Sequence, residues 1–502
     1  MIFERKFFAL LGMLWFIASA SIAQSYVESA LLFGRNVPGG SARIQGMAGS
    51  QIALGGDYSS LQSNPAGLGM YNRSEVTLTP GFSSYSTEAQ YLGNTDNASK
   101  SSVNIPGLSF VFHMPLDKNG FVGGSFGISM SRTNDFNRSM TYHGTNDETS
   151  IIDYFIDDAY GATTIQFEGS KYNTPTGLGY YNYLIGPWDL LDPTFPDDEY
   201  FSDVTTIPDQ REDIQTEGIT NQWNFSYGAN FKDIVFLGAG IGVSSLHYKS
   251  HKVYTETFDD PYLNDLRLDE LLDSKGTGVN VTLGLIVRPV NFVQVGASFT
   301  SPTYYNFVET YSADMNTSWK SFDYYGDGSK ILNNESASTD LVTSDYGLTT
   351  PMKFSTGIAF ISKYGLITGD VEFTNPAKAK YSSNTAGVSF TQENDDIRAV
   401  YKSVVNYRIG GEFRYQVFRV RAGYGIQAST YEASFDLDNS IKTISGGLGV
   451  RLKRFFVDFA LVQRSGKNLY QPYAFYNYDL PNPTVSLKNK TTSGMLTLGF
   501  TF

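Results

Sequence analysis

The sequence predicts an all-β protein, a transmembrane antiparallel β-barrel of 14 strands with an amino-terminal hatch, or plug, in its lumen. The first observation is the last nine residues, 494–502, in which Leu or Phe alternates with mostly small or polar residues and the final residue is Phe502. The second is that the same period-two alternation, which is typical of strands, recurs along the chain. A closing strand that ends on an aromatic residue at a membrane–water interface is typical of such barrels.

The amino terminus predicts secretion. Arg5 and Lys6 precede an apolar stretch at 7–18, and the Ser-Ile-Ala sequence at 21–23 resembles a small-residue cleavage site. We therefore expect residues 1–23 to be a signal peptide. The terminal aromatic resembles the sorting signal that the barrel assembly machinery reads. The two ends together predict an integral protein of a Gram-negative-type outer membrane, in contact with that machinery, outer-membrane lipid and lipopolysaccharide.

The composition argues against several other classes. A formal net charge of -13 makes a nucleic-acid partner unfavourable. The chain has no Cys, which excludes disulfides and thiolate metal sites. Beyond residue 23, no apolar run approaches the roughly 20 residues that a membrane helix needs.

The alternating segments place apolar side chains on one face and Gly, Ser or Arg on the other. Residues 279–287 alternate Val or Leu with mostly polar residues, and residues 418–428 alternate apolar residues with Arg419, Arg421 and glycines. An arginine on the lipid face near mid-membrane would cost about 2–4 kcal/mol. We therefore expect the apolar faces to contact lipid and the polar faces to line the lumen.

Six short polar segments are expected to be periplasmic turns, because short turns lie on that side of such barrels. They lie at 115–120, 232–233, 288–291, 362–365, 415–416 and 453–454. With the two free ends they give seven hairpins, and hence 14 strands, in a barrel domain of residues 74–502. Long outer loops are expected at 133–218, 251–274 and 304–348.

Residues 24–73 precede the first strand and do not alternate. They combine glycine-rich stretches with scattered apolar residues, which favours a packed plug over a flexible periplasmic tail, the alternative reading. Because a barrel of this size leaves a lumen unless something fills it, we expect this segment to be the hatch. Asn64 is expected to cap, and Pro65 to open, a single helical turn.

Three stretches of this segment carry a family resemblance. Ser41-Ala-Arg-Ile-Gln-Gly-Met-Ala-Gly, Ala53-Leu-Gly-Gly-Asp and Ser63-Asn-Pro-Ala-Gly-Leu resemble the hatch of the FadL/TodX family of outer-membrane channels. The triplet Asn64, Pro65 and Ala66 matches the hatch motif of that family. The resemblance implies a 14-stranded barrel, in agreement with the turn count. It also implies passive uptake of a hydrophobic small molecule, such as a long-chain fatty acid, past the hatch.

The resemblance further implies a ligand groove on the outer loops and a gap in the wall. Residues 262–272 show a short helix-like apolar pattern, and their side chains resemble a groove lining. These residues are Tyr262, Leu263, Leu266, Leu271 and Leu272. Packing of these leucines against the barrel rim is an equally good reading. Gly123, Gly124 and Gly127 in the third strand are compatible with a kink that permits lateral release, because glycine weakens strands.

Charged residues at inward positions of the late strands are expected in the lumen. They include Arg408, Glu412, Arg414, Arg419, Arg421 and Arg451. We expect these charges to pair with one another and to anchor the hatch, since buried charges require partners. Some of the arginines are alternatively suited to hold a carboxylate headgroup.

The sequence predicts neither an enzyme nor a metal or cofactor site. His247 and His251 share a strand face but would lie about 13 Å apart, too far to share one metal ion. Glycines 238, 240 and 242 resemble a nucleotide loop but lie within a strand, so we interpret them as lumenal. Two alternatives to uptake stay open: a docking partner in protein secretion and a general porin. We expect a monomer.

Overall fold

The computed structural model describes residues 26–35, 37, 39–118, 120–167, 169, 173–188, 198–435 and 437–502. The expected signal peptide, residues 1–23, lies outside this range. No helix among the described residues is long and apolar enough to cross a membrane.

Within the described residues, 14 antiparallel strands form a closed barrel, as the sequence predicts. They are β1 (Glu75–Tyr91), β2 (Asn94–Lys118), β3 (Phe121–Asp135), β4 (Pro208–Phe231), β5 (Val235–Phe258), β6 (Leu263–Val290), β7 (Val293–Thr300), β8 (Lys353–Ser362), β9 (Gly365–Thr374), β10 (Val404–Tyr415), β11 (Phe418–Gln427), β12 (Ile441–Arg451), β13 (Phe455–Tyr470) and β14 (Val485–Thr501). Each strand pairs with the next, and β14 pairs with β1 from Glu75↔Thr501 to Gln90↔Ser486.

The wall exposes apolar side chains and buries polar ones. Ile241 and Leu283 are 52% and 51% exposed, whereas Ser226 and Thr282 are 2% and 4% exposed. This is the reverse of a water-soluble protein and is the pattern that lipid on the outside of a barrel requires. The barrel is therefore a membrane-spanning one, with its apolar belt in lipid and its polar face inward.

The residues ahead of β1 form short helices. They are α1 (Tyr26–Gly34), α2 (Ala42–Gln45), α3 (Ser60–Ser63) and a 3-10 helix, Pro65–Met70. Most side chains from residue 40 to residue 70 are buried. The segment is thus packed along this length.

The six predicted turns all join consecutive barrel strands, which confirms the hairpin count. The outer boundaries differ from the prediction. Residues 251–274 are not a loop, because β5 runs to Phe258 and β6 begins at Leu263. The helix that the apolar pattern of residues 262–272 suggests does not form either, because these residues belong to β6 from Leu263 onward. The strand Tyr304–Asp323, which pairs with β6, shifts its register against β6 between Ser318 and Trp319. Because of this shift, Leu263 and Leu266 lie on the same side of β6 although they are three residues apart, a spacing that is typical of a helix.

The other two predicted outer loops contain regular structure. Residues 133–218 hold a strand at Arg138–Thr145, the helices α4 (Ile151–Ala159), α5 (Thr164–Phe167) and α6 (Pro175–Tyr181), and the first half of β4. Residues 304–348 hold strands at Tyr304–Asp323 and Ile331–Ser338 and most of Val342–Thr349, and α7 (Thr391–Val400) follows β9. We call the part built from the described residues of 138–207, together with 252–272 and 304–342, the outer lobe.

The outer lobe has its own apolar core and is anchored to the barrel strands. Phe155, Leu178, Leu266 and Trp319 belong to this core. Fully buried Glu256 accepts hydrogen bonds from four donors: Ser150 Oγ at 2.5 Å, Ile151 N at 2.9 Å, Gln210 Nε2 at 2.7 Å and Tyr254 Oη at 2.8 Å. Burial raises the pKa of Glu256 to about 7, and these hydrogen bonds oppose the rise. The carboxyl group ties the start of α4 to β4 and β5.

Candidate functional site

The amino-terminal segment is hydrogen-bonded to inward-facing groups of the wall. Ala42 N donates to Thr497 Oγ1 at 2.8 Å, and Ala48 N donates to Ser445 Oγ at 2.8 Å. On the other side of the lumen, Ser226 Oγ donates to the Leu61 carbonyl at 2.7 Å. The segment therefore spans the lumen from β12 and β14 to β4.

Wall glycines allow the backbone of this segment to approach closely. A Cβ at Gly238 would overlap the Pro65 carbonyl carbon, and one at Gly284 would overlap Asn64 Oδ1. Other wall glycines at which a Cβ would come within 3.0 Å of the segment are Gly107, Gly127, Gly228, Gly296, Gly410 and Gly423. Gly238 thus faces the lumen, as the sequence predicts, and its role is to make room.

The Asn64-Pro65-Ala66 turn has the predicted geometry. Ala66 N donates to Asn64 Oδ1 at 3.3 Å, so Asn64 caps the 3-10 helix that Pro65 opens. Asn64 Nδ2 also donates to the Ile52 carbonyl at 2.7 Å and to the Leu285 carbonyl, on β6, at 3.3 Å. One side chain therefore caps the turn, joins two parts of the segment and contacts the wall.

A buried charge network links the segment to β10, β11 and β13. Glu412 accepts from Arg414 Nε and Arg421 Nε, each at 2.7 Å, and Arg43 Nε lies 3.5 Å from the same carboxylate. Arg421 Nη1 also lies 2.6 Å from Asp458. Because an unpaired buried charge is costly, each of these groups depends on the others being in place.

The six predicted lumenal charges divide between this network and other partners. Glu412, Arg414 and Arg421 belong to the network, and Arg408 pairs with Glu372 at 3.2 Å. Arg419 instead donates to the carbonyls of Gln416 and Phe418, and Arg451 lies over the Phe456 ring.

Sequence reasoning missed Arg43 and Asp57, which lie 3.9 Å apart within the segment itself. The signal in the sequence was that Arg43 and Asp57 are the two charged residues between Arg35 and Arg73.

Helix α1 lies at the outer end of the lumen in an aromatic cluster. Phe33 stacks on Phe307 at 5.1 Å, and Tyr26 meets Tyr381 and Phe390 edge-on at 5.1 and 5.2 Å. Burial of such rings, together with their edge and face contacts, holds α1 against the outer strands.

A cavity of about 430 Å³ remains between α1, the rest of the segment and the wall. Apolar groups in its lining include Leu31, Leu32, Ile214, Leu487 and Met495. The volume falls in the range of pockets that bind small molecules, and a mixed lining with a few polar groups is typical of them.

The charged residues that line the cavity are mainly basic. Six are basic (Arg35, Arg132, Arg138, Lys252, Arg464 and Lys467) and two are acidic (Glu28 and Asp135). Two buried donors among them, Arg35 Nη2 and Arg132 Nε, have no hydrogen-bond partner. The cavity is therefore electropositive although the chain is acidic.

One side of the cavity borders an irregular seam in the wall. Its lining includes Gly81, Phe82, Asn104 and Pro106. Leu78 pairs with Leu498 and Gly81 pairs with Met495, but Pro80 pairs with no residue of β14. In addition, β1 shifts its register against β2 between Thr79 and Gly81. Proline cannot donate to a ladder, so the wall is weakened here, in the middle of the apolar belt.

The glycines predicted to kink β3 lie in a mostly regular strand. Gly124 and Gly127 pair continuously with β2 and β4, whereas Gly123 lies next to register shifts against both of these strands. A Cβ at Gly127 would lie 2.7 Å from Leu61 Cδ2, so this glycine gives the segment room. A lateral opening at these glycines stays an untested prediction.

The five residues predicted to form a ligand groove do not share one surface. Leu263 and Leu266 are buried in the core of the outer lobe, and Leu272 packs against that core. Tyr262 and Leu271 are exposed. Strand alternation separates them, whereas a helix would have grouped them.

His247 and His251, the two histidines that share a strand face, each lie beside an aspartate. His247 Nε2 lies 3.0 Å from Asp273, and His251 Nε2 lies 3.3 Å from Asp269. In the part of the chain that the structure describes, no group of three or more His, Asp or Glu residues is placed to hold a metal ion.

The closed wall, apolar belt and polar lumen define an integral outer-membrane β-barrel of the FadL/TodX fold. The solved structures that resemble it include the following two. A FadL homologue from Pseudomonas aeruginosa matches with a TM-score of 0.53 and 12% identity over 92% of this chain and 99% of its own. The toluene transporter TodX from P. putida matches with a TM-score of 0.51 and 11% identity over 93% and 99%. Neither of these two is named as an enzyme, and at these identities the likeness concerns the fold.

No protein-family model matches the sequence, and no curated protein matches it.

Proposed function

We propose that this protein is an outer-membrane channel for the passive uptake of a hydrophobic small molecule. The observation that carries the proposal is the cavity inside the barrel, enclosed by the amino-terminal segment and bordered by a weak seam of the wall. Such solutes partition poorly into water, so a chain of binding sites through the outer membrane would speed their entry. The toluene transporter with the same fold supports this reading of the lumen.

The cavity favours an apolar ligand with a carboxylate, such as a long-chain fatty acid, over a neutral hydrocarbon. Arg35 Nη1 is already used, because it donates to the Asn439 carbonyl at 2.9 Å, while Nη2 is buried and unpaired. Arg132 pairs with Asp135 through Nη1 at 3.3 Å and leaves Nε unpaired. Arginine donors of this kind suit a carboxylate, and the apolar lining suits an acyl chain.

The test compares retained lipids by mass spectrometry after purification in a mild detergent. The intact barrel is expected to retain fatty acid, and the double variant Arg35→Met with Arg132→Met is expected to retain about ten-fold less or lower still, since a charge-assisted hydrogen bond contributes about 1.5–3 kcal/mol. Toluene uptake by the same variant should be unchanged.

The matched control is Arg454→Met, which removes one exposed positive charge from the turn between β12 and β13. It should retain fatty acid like the intact barrel. An intact barrel that carries no fatty acid and does not accelerate the uptake of oleate into cells would refute the proposal.

The amino-terminal segment would serve as the hatch of this channel. Its hydrogen bonds to β4, β12 and β14, its charge network with β10 and β11, and the wall glycines that receive it all support a folded plug over a dangling tail. A filled lumen also argues against a general porin.

The ligand would leave sideways, through the seam at Pro80. Leu78 and Phe82, on either side of Pro80, are exposed on the apolar belt, so the seam faces lipid. A ligand that leaves here passes from the cavity into the membrane without crossing water. The seam lies on β1, whereas the sequence places the opening at the glycines of β3.

The expected result is that cross-linking the seam blocks uptake. Ser83 and Ser493 are opposite one another on β1 and β14, with their Oγ atoms 2.9 Å apart, and the chain has no cysteine of its own. The variant Ser83→Cys with Ser493→Cys should take up oleate when reduced and stop when oxidised. Thr282→Cys with Thr300→Cys, a facing pair on β6 and β7 at 3.3 Å, is the control and should be active in both states. Normal uptake by the oxidised seam variant would contradict a lateral exit at this point.

A second candidate function, docking to a secreted or secretion-machinery protein, is favoured by the outer lobe. Its exposed apolar side chains include Ile165 and Leu341, which are 75% and 68% exposed. Purification in mild detergent separates the two functions: a stoichiometric protein partner favours docking, and bound fatty acid favours uptake.

A further inference from the structure

A basic patch lies on the outward face of β5 and β6, just beyond the apolar belt. It consists of His247, Lys249 and Lys275 around Asp273, to which their nitrogens lie at 3.0, 3.4 and 3.8 Å. The lysine side chains are 54% and 67% exposed. One carboxylate thus faces three basic side chains, and even with His247 neutral the patch keeps a net positive charge.

The strand register gives the height of this patch relative to the membrane. Trp223, Val243 and Val279 are paired across β4, β5 and β6 and form the last apolar outward row. The next outward row is polar and uncharged, and the row after it contains His247 paired with Lys275. Four residues of strand span about 14 Å, or roughly 10 Å along the membrane normal at the usual strand tilt. The patch is therefore level with the headgroups of the outer leaflet.

The neighbouring acidic groups do not cancel the charge. Glu217, which pairs with Lys249 in register, is held by Lys100 at 2.7 Å. Asp269, further out on β6, is held by Arg267 at 2.7 Å. The remaining excess of positive charge contrasts with the net charge of -13 of the whole chain.

We propose that the basic patch binds the phosphate groups of a phosphorylated glycolipid of the outer leaflet. The acyl chains of that lipid would lie along the apolar rows that include Ile241 and Leu283, and its phosphates would meet Lys249 and Lys275 directly above. Lysine is a compact charge that suits phosphate, and the long side chains reach the headgroup layer from the wall. The patch is separate from the lumen and does not depend on the ligand proposed there.

The test titrates bisphosphorylated lipid A into the full-length barrel in a mild detergent and counts bound lipid by native mass spectrometry. The intact barrel should bind it stoichiometrically. The double variant Lys249→Gln with Lys275→Gln should bind roughly ten- to thirty-fold more weakly, from about 1 kcal/mol per lysine at a membrane surface. Both side chains are exposed, so the variant should fold, and an unchanged heat-modifiable, folded fraction would show that it has.

Two controls make the result specific. Lys363→Gln with Lys453→Gln removes the same charge from the periplasmic turns and should bind lipid A like the intact barrel. Lipid A stripped of its phosphates should bind weakly to every variant. Equal binding of lipid A by the intact barrel and the Lys249/Lys275 variant would overturn the proposal, as would equal binding of the dephosphorylated lipid. Occupancy by inorganic phosphate alone, without displacement by lipid A, would make the patch an ion site and overturn it too.

Discussion

Removing residues 26–66 is expected to turn a nearly closed barrel into one that conducts ions steadily in a planar bilayer. The deletion takes away α1, α2, α3 and the start of the 3-10 helix, while all 14 strands and the terminal Phe502 remain. The wall can therefore still close. The polar inward face then lines an open lumen, which water and ions enter. If the intact and truncated proteins conduct equally, the segment does not block the lumen.

A point substitution provides an independent route to the same state. Gly238→Leu places a side chain where the Pro65 backbone lies, so the segment cannot stay seated at β5. Steady conductance is expected from this variant as well. Gly494→Leu is the control, because a Cβ there meets only Phe459, at 3.9 Å. A closed Gly238→Leu barrel of normal abundance would show that the segment is not seated as described.

Deleting Phe502 is expected to lower the amount of barrel in the outer membrane severely. Phe502 N donates to the Ser74 carbonyl at 3.0 Å, and Ser74 N donates to the Phe502 carbonyl at 3.2 Å, so this residue completes the seam between β14 and β1. Its ring is exposed at the periplasmic edge and is stacked with the Phe500 ring, with 6.3 Å between the ring centroids. The measurement is the heat-modifiable, folded fraction in isolated outer membranes.

The control for this deletion is Phe502→Tyr, which keeps the backbone pair and the aromatic ring and should assemble normally. Phe502→Ala separates the two contributions, since it keeps the backbone hydrogen bonds and loses only the ring. Normal abundance of the protein lacking Phe502 would argue that neither contribution is needed for assembly.

The membrane-spanning part of the fold was predictable because lipid imposes a simple rule. An outward side chain in the belt must be apolar, and its inward neighbour is free to be Gly, Ser or Asn, so alternation survives in strands such as β5 and β14. Outside the membrane that constraint ends. Beyond Val243, β5 continues with polar and charged side chains on its outward face, so its sequence resembles a loop although its pairing with β4 and β6 is unbroken.

The Asn-Pro-Ala triplet determines local structure but not its place in the fold. Asn375, Pro376 and Ala377 repeat it at the outer end of β9 and form the same capped 3-10 turn, with Ala377 N donating to Asn375 Oδ1 at 3.2 Å. The triplet therefore encodes a turn, because the Asn side-chain amide caps the 3-10 helix and the φ angle of proline already suits its first position. The lumenal position of Asn64 depends on the surrounding small residues and on the wall glycines that face them.

The candidate site was predictable only in part. Glu412 and Arg421 lie on strands, so alternation placed them inward, and the need to pair buried charges then predicted a network. The cavity itself was not predictable, because its lining comes from the segment and from many strands that are distant in sequence. Pro80 and Pro106 were visible in the sequence, but their importance follows from being adjacent across β1 and β2.

The amino-terminal segment is held at both ends of the barrel, and this limits how it can move. Its start, α1, is clamped in the aromatic cluster at the outer mouth, and its end continues covalently into β1 at the periplasmic mouth. The segment is thus fixed at its start and at its end, so pulling it out at the periplasmic side would drag the bulky rings of α1 through the lumen. Between these two ends, the segment is also fixed to the wall by the hydrogen bonds of Ala42 and Ala48 and by the Arg43–Glu412 pair. Any opening past the segment would therefore have to break contacts at its middle while both ends stay held.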